Sequence, residues 1–434
     1  MERETVSLQI GKCGIQLGNE FWKRLYGEHS LTLQGNENFK TKKIFDKKRL
    51  FFKENKEGFF KPRTFLFDLE PRILHKLMKS NYKNVYDKKS ILFSNQGTGN
   101  NWANGYYKSL EFQYEIEEIL RKHSENCDNL GSFNIFNSIV GGTGGGGGCY
   151  LMEMIKDEFP GKFINCFTVI PERKGAFDTV VQPYNSILSL RWLKLYPDCV
   201  TFFENGAIEN IINCRNESIK PGLKEINYLI SKIICVSTQN VRLSSPPNQN
   251  WESLVIPLIP TPNLHFLSTN ISTVEFFGKK KKDYIKSWSK EKFFLENQTV
   301  SLNFEAGKML SSLHFLRNQM EKNVDFFFLK NNSKTEKRFS LNREKTRSNN
   351  IHISQEMKWD FNEEKISYFN HTALKDIFSE TYVQYNILRK RNAFLASYLK
   401  NFPAGDGVDL FEDAKESIHN LIEEFEWAKN SNFF

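Results

Sequence analysis

Residues 141–148 read GGTGGGGG and directly follow residues 133–140, FNIFNSIV, an apolar run typical of a buried strand. Seven of the chain's 25 glycines fall in these eight positions. Glycine allows a backbone to turn sharply and to bring its N–H groups close to an anion. Residues 149–159 have the pattern of a helix, so the run would lie at a helix N-terminus, which favours phosphate. The stretch therefore predicts a phosphate-binding loop between a strand and a helix.

A run of this composition can also be a flexible linker, but the apolar segments on both sides favour the phosphate loop. It is not a Walker A loop, because no Gly-Lys-Ser/Thr sequence follows it. The dinucleotide pattern Gly-x-Gly-x-x-Gly fits within it, yet nearly uniform glycine fits many patterns. By itself the run predicts a nucleotide without saying which one.

Length and composition predict a globular protein of two or three domains, since the chain has 434 residues, 39% of them apolar and 39 of them Phe. The N-terminal MERETVSLQI lacks the apolar segment of a secretory signal, and no apolar run predicts a membrane span. The seven Cys form no CxxC pair and no Cys/His cluster. This pattern predicts reduced thiols in the cytoplasm and no structural zinc.

The formal net charge of +9 raises the alternative of a nucleic-acid-binding module. The densest basic stretches are residues 279–282 (KKKK) and 330–350, and neither interleaves aromatic residues. Excess Lys is spread along the chain, which favours solvated loops. No nucleic-acid partner is therefore predicted.

Strand-like segments alternate with helix-like segments over the first 205 residues, which predicts a parallel sheet covered on both faces. In such sheets ligands bind at the carboxyl ends of the strands, where each polar or glycine loop of this region lies. The predicted strands are residues 5–10, 65–67, 91–93, 133–140, 163–170 and 199–203, with a helix at 12–28 and a long loop at 35–63.

The alternation of strand-like and helix-like segments stops near residue 205. We therefore predict three parts: a nucleotide-binding domain (1–205), an intermediate domain (206–370) and C-terminal helices (371–434). Residues 206–233 have a helical pattern, 244–250 read as a loop, and 254–267 are apolar and rich in proline. Apolar residues at three- and four-residue steps predict one helix over 374–399. A break at 402–408 and an acidic second helix predict a helical hairpin.

Five segments occur in the order and spacing of tubulins, and the chain resembles this family. They are GKCGIQLG (11–18), DLEPR (68–72), GNNWANG (99–105), the glycine run (141–148) and VVQPYN (180–185). Within the family the sequence most resembles γ-tubulin, notably in FWKRL (21–25) and QYNILRKRNAFL (384–395). The resemblance implies an α/β fold of the tubulin/FtsZ type: a Rossmann-like parallel-sheet GTPase domain, a second α/β domain and a C-terminal helical hairpin.

The resemblance also implies a function. A γ-tubulin-like chain would bind GTP or GDP with Mg²⁺ and template microtubule nucleation at organising centres of the cytoplasmic cytoskeleton, including those of the spindle. Its partners would be αβ-tubulin, ring-complex proteins and lateral copies of itself. The alternative is an enzyme, a self-polymerising GTPase of the tubulin/FtsZ type.

Carried over position by position, the resemblance implies a nucleotide site built from several loops. Backbone N–H groups of the glycine run would wrap the phosphates, the terminal phosphate would meet a second loop, and two carboxylates would lie near the magnesium. Amide side chains would read guanine, since each offers a donor and an acceptor. The implied positions are Gly11, Lys12, Gly141, Gly142, Thr143, Gly144, Gly145 and Ser138 near the phosphates; Thr98, Gly99 and Asn100 at the terminal phosphate; Asp68 and Glu70 at the metal; Asp178 and Gln182 at the ribose; and Cys13, Gln16, Asn205, Leu223 and Asn227 at the base.

Two of these positions depart from the family. Lys12 replaces a usual Gln, and its ammonium either adds positive charge beside the phosphates or turns to solvent. Leu223 replaces the aromatic residue that stacks on the base in γ-tubulins, a contact worth about 1 kcal/mol. For Cys13 a small buried thiol without a binding role is the competing interpretation.

A third departure concerns hydrolysis. In α-tubulin a glutamate of the second domain completes the site of the next subunit and positions the attacking water. The matching position here is Ser253, and Glu252 lies one residue away, about 100° around a helix. Serine is no comparable base at neutral pH, so we expect nucleotide binding with at most weak GTPase activity and no catalytic residue. The lateral loop of the family matches residues 272–288, where the KKKK run is a further departure.

Overall fold

The structure is a computed structural model that describes residues 3–37, 46–172, 179–213, 221–243, 250–273, 275–276, 279–280, 297–317, 349–354, 364–402 and 406–430. Several sequence predictions lie outside these residues. They are Asp178, the loop at 244–249, residues 281–288 of the lateral loop with the rest of the KKKK run, the basic stretch 330–348 and residues 403–405 of the C-terminal break.

Within the described residues, ten strands form one sheet in the order β13-β12-β14-β9-β8-β7-β6-β1-β4-β5. From β5 to β9 every neighbouring pair is parallel, whereas β14 runs antiparallel to both β9 and β12. The predicted α/β architecture is confirmed, and the sheet continues from β8 into β9, past residue 205. The strands are β1 Glu4–Ile10, β2 Phe52–Glu54, β3 Phe60–Pro62, β4 Thr64–Asp68, β5 Ile91–Phe93, β6 Leu130–Ser138, β7 Phe163–Ile170, β8 Cys199–Glu204, β9 Phe266–Thr273, β10 Glu275–Phe276, β11 Lys279–Lys280, β12 Met309–Arg317, β13 Asn349–Ser354 and β14 Glu364–His371.

Helices cover both faces of the sheet, and each face has its own apolar core. One core joins the sheet to α1, α2, α7 and α8, and the other joins it to α3, α4, α5, α6 and the C-terminal helices. The helices are α1 Gly11–Glu28, α2 Pro71–Lys79, α3 Trp102–Leu110, α4 Gln113–Glu125, α5 Gly148–Glu158, α6 Gln182–Leu195, α7 Asn205–Asn213, α8 Leu223–Leu243, α9 Trp251–Val255, α10 Lys375–Lys390, α11 Leu395–Leu399 and α12 Asp406–Ala428.

Three predicted elements differ from the structure. The predicted loop at 35–63 contains a hairpin, β2–β3, because Phe52 and Phe60 are buried in the apolar core beneath α1. The predicted helix 206–233 is two helices, α7 and α8, and α8 continues to Leu243. The single helix predicted over 374–399 is broken between α10 and α11, where Asn392 and Phe394 adopt the left-handed conformation.

The predicted packing of the C-terminal helices against each other is confirmed. Phe378 of α10 stacks on Phe425 of α12, with ring centroids 5.6 Å apart, and Tyr385 stacks on Phe411 at 6.1 Å. Tyr184 of α6 contacts Tyr385 and Phe411, which fixes the pair on the sheet's second core. The C-terminal helices therefore lie over the helix layer that backs the glycine run.

Candidate functional site

The carboxyl ends of four parallel strands bring the predicted residues to one edge of the sheet. Gly11 follows β1, Asp68 ends β4, Ser138 ends β6 and Asn205 follows β8. Because β4, β1, β6, β7 and β8 are parallel neighbours, these positions lie along the same edge. The structure thus places the segments that the sequence predicted for a ligand where open α/β sheets bind one.

The glycine run is not the loop that the sequence predicted. Gly142–Gly147 form a π-helical turn that leads directly into α5, so helical structure begins seven residues before Cys149. Of the run, Gly141 alone has an extended backbone, with φ −83° and ψ 162°. The first N–H groups of a helical segment have no acceptor within it and carry the positive end of its dipole. The run therefore still presents backbone donors to the edge, from a helical turn rather than a loop.

Several glycines of the run are packed closely against α3 or the loop that precedes it. A Cβ on Gly146 would lie 2.0 Å from the carbonyl oxygen of Trp102, and one on Gly142 would lie 2.3 Å from Oγ1 of Thr98. From the other side, a Cβ on Gly105 would lie 1.9 Å from the carbonyl oxygen of Gly142. The two backbones are too close for side chains. The sequence indicated that these positions are glycine so that the backbone can approach a phosphate. The structure adds a second reason, the close packing of two backbones, which the sequence did not reveal.

A second loop, residues 97–100, lies against the glycine run. Gly97, Gly99 and Asn100 have φ of 63°, 59° and 54°, the left-handed region that glycine and asparagine tolerate best. Thr98 is buried, and the backbone N–H of Gly97 donates to the carbonyl oxygen of Leu69 at 2.9 Å. The loop is thus tied to the segment that follows Asp68, and the predicted phosphate and metal residues converge.

Asn185 links loop 97–100 to the start of the glycine run and to α3. It was not among the predicted site residues. Its Nδ2 donates to the carbonyl oxygens of Asn100 (2.7 Å) and Val140 (2.6 Å), and its Oδ1 accepts from the backbone N–H of Trp102 (2.9 Å). The hydroxyl of Tyr398 donates to the same Oδ1 at 2.5 Å. The motif VVQPYN contained Asn185, but only the fold shows that it links two loops.

Asp68 is the buried acid of the site. Its Oδ1 accepts from the backbone N–H of Glu70 at 3.1 Å, whereas its Oδ2 is buried and has no hydrogen-bond partner within the described part of the chain. Burial raises the pKa of Asp68 to about 6, against the lowering effect of the hydrogen bonds from Glu70 and Thr143. Glu70 is exposed beside it. Burial without a partner is costly for a carboxylate, and a nearby cation would relieve that cost.

Oxygen donors of this kind suit magnesium, which usually binds one or two carboxylates together with phosphates and water. Asp68 and Glu70 would supply the carboxylates, and the ion would neutralise charge on a polyphosphate. Among the residues that the structure describes, no three His, Cys, Asp or Glu side chains form a metal-binding cluster. The fit therefore depends on phosphate oxygens completing the coordination.

We expect Asp68→Asn to separate folding from metal binding. Without ligand at pH 7 the variant should be more stable than the natural chain by about 1–2 kcal/mol, because a buried carboxylate becomes a neutral amide. The raised pKa of Asp68 means that this advantage is lost as pH falls from about 6 towards 4, where the natural carboxyl is protonated. Thermal unfolding across this pH range measures it.

The same variant should lose most of the gain in nucleotide affinity that Mg²⁺ gives the natural chain, measured by titration with and without EDTA. Asp87→Asn is the matched control, because Asp87 is an exposed aspartate outside this edge. An unchanged magnesium dependence in Asp68→Asn would contradict the role of this carboxylate.

Three of the predicted base-binding residues line one cleft of about 360 Å³ between α1, α2 and α8. They are Gln16, Leu223 and Asn227; Asn227 is buried, whereas Leu223 is 54% exposed. Cys13 is half-buried near the same end of α1, and burial raises its pKa to about 12 although the Lys12 ammonium lowers it. The thiol is therefore protonated at neutral pH. The side chain of Lys12 is exposed, and its direction relative to a ligand stays a prediction.

Of the remaining predicted residues, Gln182 is buried at the start of α6, and its Oε1 has no hydrogen-bond partner among the residues that the structure describes. Asn205 is half-buried at the start of α7. Asp178 lies outside the described residues. An unpartnered buried amide oxygen near the glycine run suits a ribose hydroxyl, which is a donor. The assignment of each residue to a nucleotide group remains a prediction.

We expect Leu223→Tyr to tighten binding of a guanine nucleotide about fivefold to tenfold, because an aromatic ring on this wall of the cleft can stack on a base. Since Leu223 is exposed, the substitution should leave the free energy of unfolding nearly unchanged. Fluorescence titration with a labelled GDP measures the change. Leu223→Ile is the control without a ring, and equal affinities for the Tyr and Ile variants would contradict the stacking position.

Ser253 and Glu252 lie at the opposite edge of the sheet. Ser253 belongs to the first turn of α9, where its hydroxyl donates to the carbonyl oxygen of Asn250 at 2.7 Å and accepts from the N–H of the same residue at 3.2 Å. Glu252 forms an ion pair with Arg3, which precedes β1. Because Gly11 follows the other end of β1, the two edges are about 23 Å apart. Neither residue can serve this chain's own glycine run.

No helix among the described residues has the length and apolarity needed to cross a membrane. Residues 4–213 match the Tubulin/FtsZ family, GTPase domain. A protein named tubulin gamma chain, nucleomorph, from Guillardia theta is 34% identical to this chain over 438 residues, which is 98% of this chain and 99% of the relative. The matched region contains the predicted phosphate and metal residues, and the similarity to the relative extends through the C-terminal helices.

Proposed function

Because the chain belongs to the tubulin family, we propose that it is a γ-tubulin-like protein that binds a guanine nucleotide and templates the start of microtubules. The GTPase-domain match implies guanine-nucleotide binding. The observation that supports it best in the structure is the convergence of the glycine run, loop 97–100 and Asp68 at one edge of the sheet. Magnesium, the organising-centre location and the partners αβ-tubulin and ring-complex proteins are part of this proposal.

The two edges of the sheet support assembly in which subunits follow one another end to end. The nucleotide edge carries the glycine run, and the opposite edge carries α9 with Ser253 and Glu252. A filament subunit needs two different surfaces, since identical head-to-tail contacts join unlike faces. A preassembled template helps because the first subunits of a filament lose association entropy before they gain many contacts.

We propose a binding protein with little hydrolysis. The hydroxyl of Ser253 is engaged in capping α9, and the carboxylate of Glu252 is paired with Arg3. Neither group is presented as a free base for a nucleotide of an adjacent subunit. A general base typically contributes about a hundredfold or more to such a step, so turnover should be slow.

The test is an assembly assay with purified αβ-tubulin at a concentration where it nucleates slowly by itself. The full chain should shorten the lag before polymerisation and should be found at one end of the growing filaments by fluorescence microscopy. In parallel reactions that contain the chain but no αβ-tubulin, GTP turnover by the chain should stay far below that of assembling αβ-tubulin. An unchanged lag with no association with filament ends would reject the template role, and rapid turnover by the chain alone would favour a self-polymerising GTPase.

A further inference from the structure

The cleft next to the predicted base residues extends well beyond them. It continues from Gln16, Leu223 and Asn227 outward between α1 and α2. The volume of the whole cleft, including the part lined by these three residues, is about 360 Å³, which falls in the range of pockets that bind small organic molecules. The further lining residues are Ile15, Asn19, Glu20, Lys23, Ile73, Lys76, Leu77, Ser80, Tyr82 and Lys224.

The extension has an apolar wall and a basic rim. Ile15, Ile73 and Leu77 are aliphatic residues that belong to, or pack against, the core beneath α1. Lys76 and Lys224 are exposed at the rim. A wall of this kind favours an apolar or aromatic group, because removing such a group from water is favourable in proportion to the area buried.

The inner part of the extension is held in place by local contacts. The ammonium of Lys23 pairs with Glu20 at 2.5 Å and lies 4.4 Å from the ring centroid of Tyr82. The hydroxyl of Tyr86, in the same segment as Tyr82, donates to Oδ1 of Asn19 at 3.3 Å. The contacts of Lys23 with Tyr82 and of Asn19 with Tyr86 join α1 to the segment after α2, which anchors one side of the extension.

We infer that this extension is a second subsite, continuous with the base-binding end, and that it takes an apolar or aromatic group carried on a guanine base. The inference rests on the proposed guanine site, because the occupant is a guanine nucleotide with an added group. Leu223 is the residue that sets this specificity. Its aliphatic side chain is 54% exposed and lines the same cleft as the base residues and the residues of α1 and α2, and it carries no ring that would fill the space between them.

The probes are GTP and three derivatives of GTP that carry one phenyl group, on the exocyclic nitrogen, on the carbonyl oxygen or on carbon 8 of the base. Competition against a labelled GDP gives each affinity. We expect at least one derivative to bind the full chain about tenfold more tightly than GTP, since a ring buried on this wall gains affinity. If GTP binds and every derivative binds more weakly than GTP, the inference is overturned. If GTP itself does not bind, the proposed function fails first.

Two substitutions locate the effect. Ile73→Trp fills the extension and should abolish the tenfold advantage while leaving the affinity for GTP unchanged. Leu223→Tyr, at an exposed position that does not threaten folding, should move the two ligands in opposite directions: GTP tighter, the derivative weaker. Lys79→Trp is the control, because Lys79 is exposed on the same helix but does not line the cleft. A derivative whose advantage survives both Ile73→Trp and Leu223→Tyr binds elsewhere, which would also overturn the inference.

Discussion

Gly146→Ala is expected to lower the free energy of unfolding by about 3 kcal/mol or more. The new methyl group would lie 2.0 Å from the carbonyl oxygen of Trp102 and 2.6 Å from the backbone nitrogen of Tyr106, both in α3. Backbone atoms inside a helix cannot move aside as a flexible side chain can, so α3 and the π-helical turn must separate. Overpacking in a core typically costs about 1–3 kcal/mol, and a backbone clash of this size should reach or exceed the upper end. Because the free energy of unfolding of a native protein is only about 5–15 kcal/mol, this loss would be a large fraction of the total.

The matched control is the same chemical change where space is open. Gly27 lies in α1, and no heavy atom of a neighbouring segment comes within 4 Å of the place that a methyl group would take. Gly27→Ala should therefore stabilise the chain by about 0.5–1 kcal/mol through helix propensity. Gly141→Ala should fold normally, because the nearest atom to its Cβ is 4.0 Å away. Denaturant unfolding without nucleotide measures all three, and equal stability of Gly146→Ala and the natural chain would contradict the packing explanation of the glycine run.

Asn227→Ala is expected to weaken guanine-nucleotide binding about a hundredfold, with a small effect on folding. Asn227 is buried on α8, lines the cleft and offers both a donor and an acceptor to a base. Removing it leaves polar atoms of a bound guanine buried without partners, which costs about 1–3 kcal/mol. Isothermal titration with GDP measures the affinity, and thermal unfolding checks the fold.

The control for Asn227→Ala is Tyr228→Ala, the next residue along α8, which is 36% exposed and does not line the cleft. It should bind the nucleotide as the natural chain does. Asn227→Ala should also lose part of the preference for guanine over adenine, since one of the amide side chains predicted to read the base is gone. An unchanged affinity and preference would mean that the base lies elsewhere.

The sequence correctly predicted which segments end at this edge of the sheet, because buried parallel strands have nearly continuous apolar sequences. Residues 163–170 and 91–93 are strands with the predicted bounds, and each run ends where polar or glycine residues begin. Side chains at these ends share an edge by topology alone. Asp68 and Ser138 could therefore be placed together without knowledge of any distance.

The sequence could not show what depends on contacts between distant segments. The near contact of Gly146 with Trp102 involves two backbones, and nothing in the pattern of either segment indicates it. The role of Asn185 is similar, because its two acceptors lie 85 and 45 residues away. The break before α11 was missed because apolar spacing continues across Asn392 and Phe394, while the backbone there is left-handed.

The most direct test of the proposed function identifies the nucleotide that the purified chain carries. Protein isolated without added nucleotide is denatured, and the released small molecules are identified and counted by chromatography with mass spectrometry. We predict about one guanosine diphosphate or triphosphate per chain, bound at the edge that holds Gly141 and Asp68 and in the cleft that Asn227 lines. Adenine nucleotide in its place, or no nucleotide even after incubation with GTP and magnesium, would contradict guanine binding and the template role built on it.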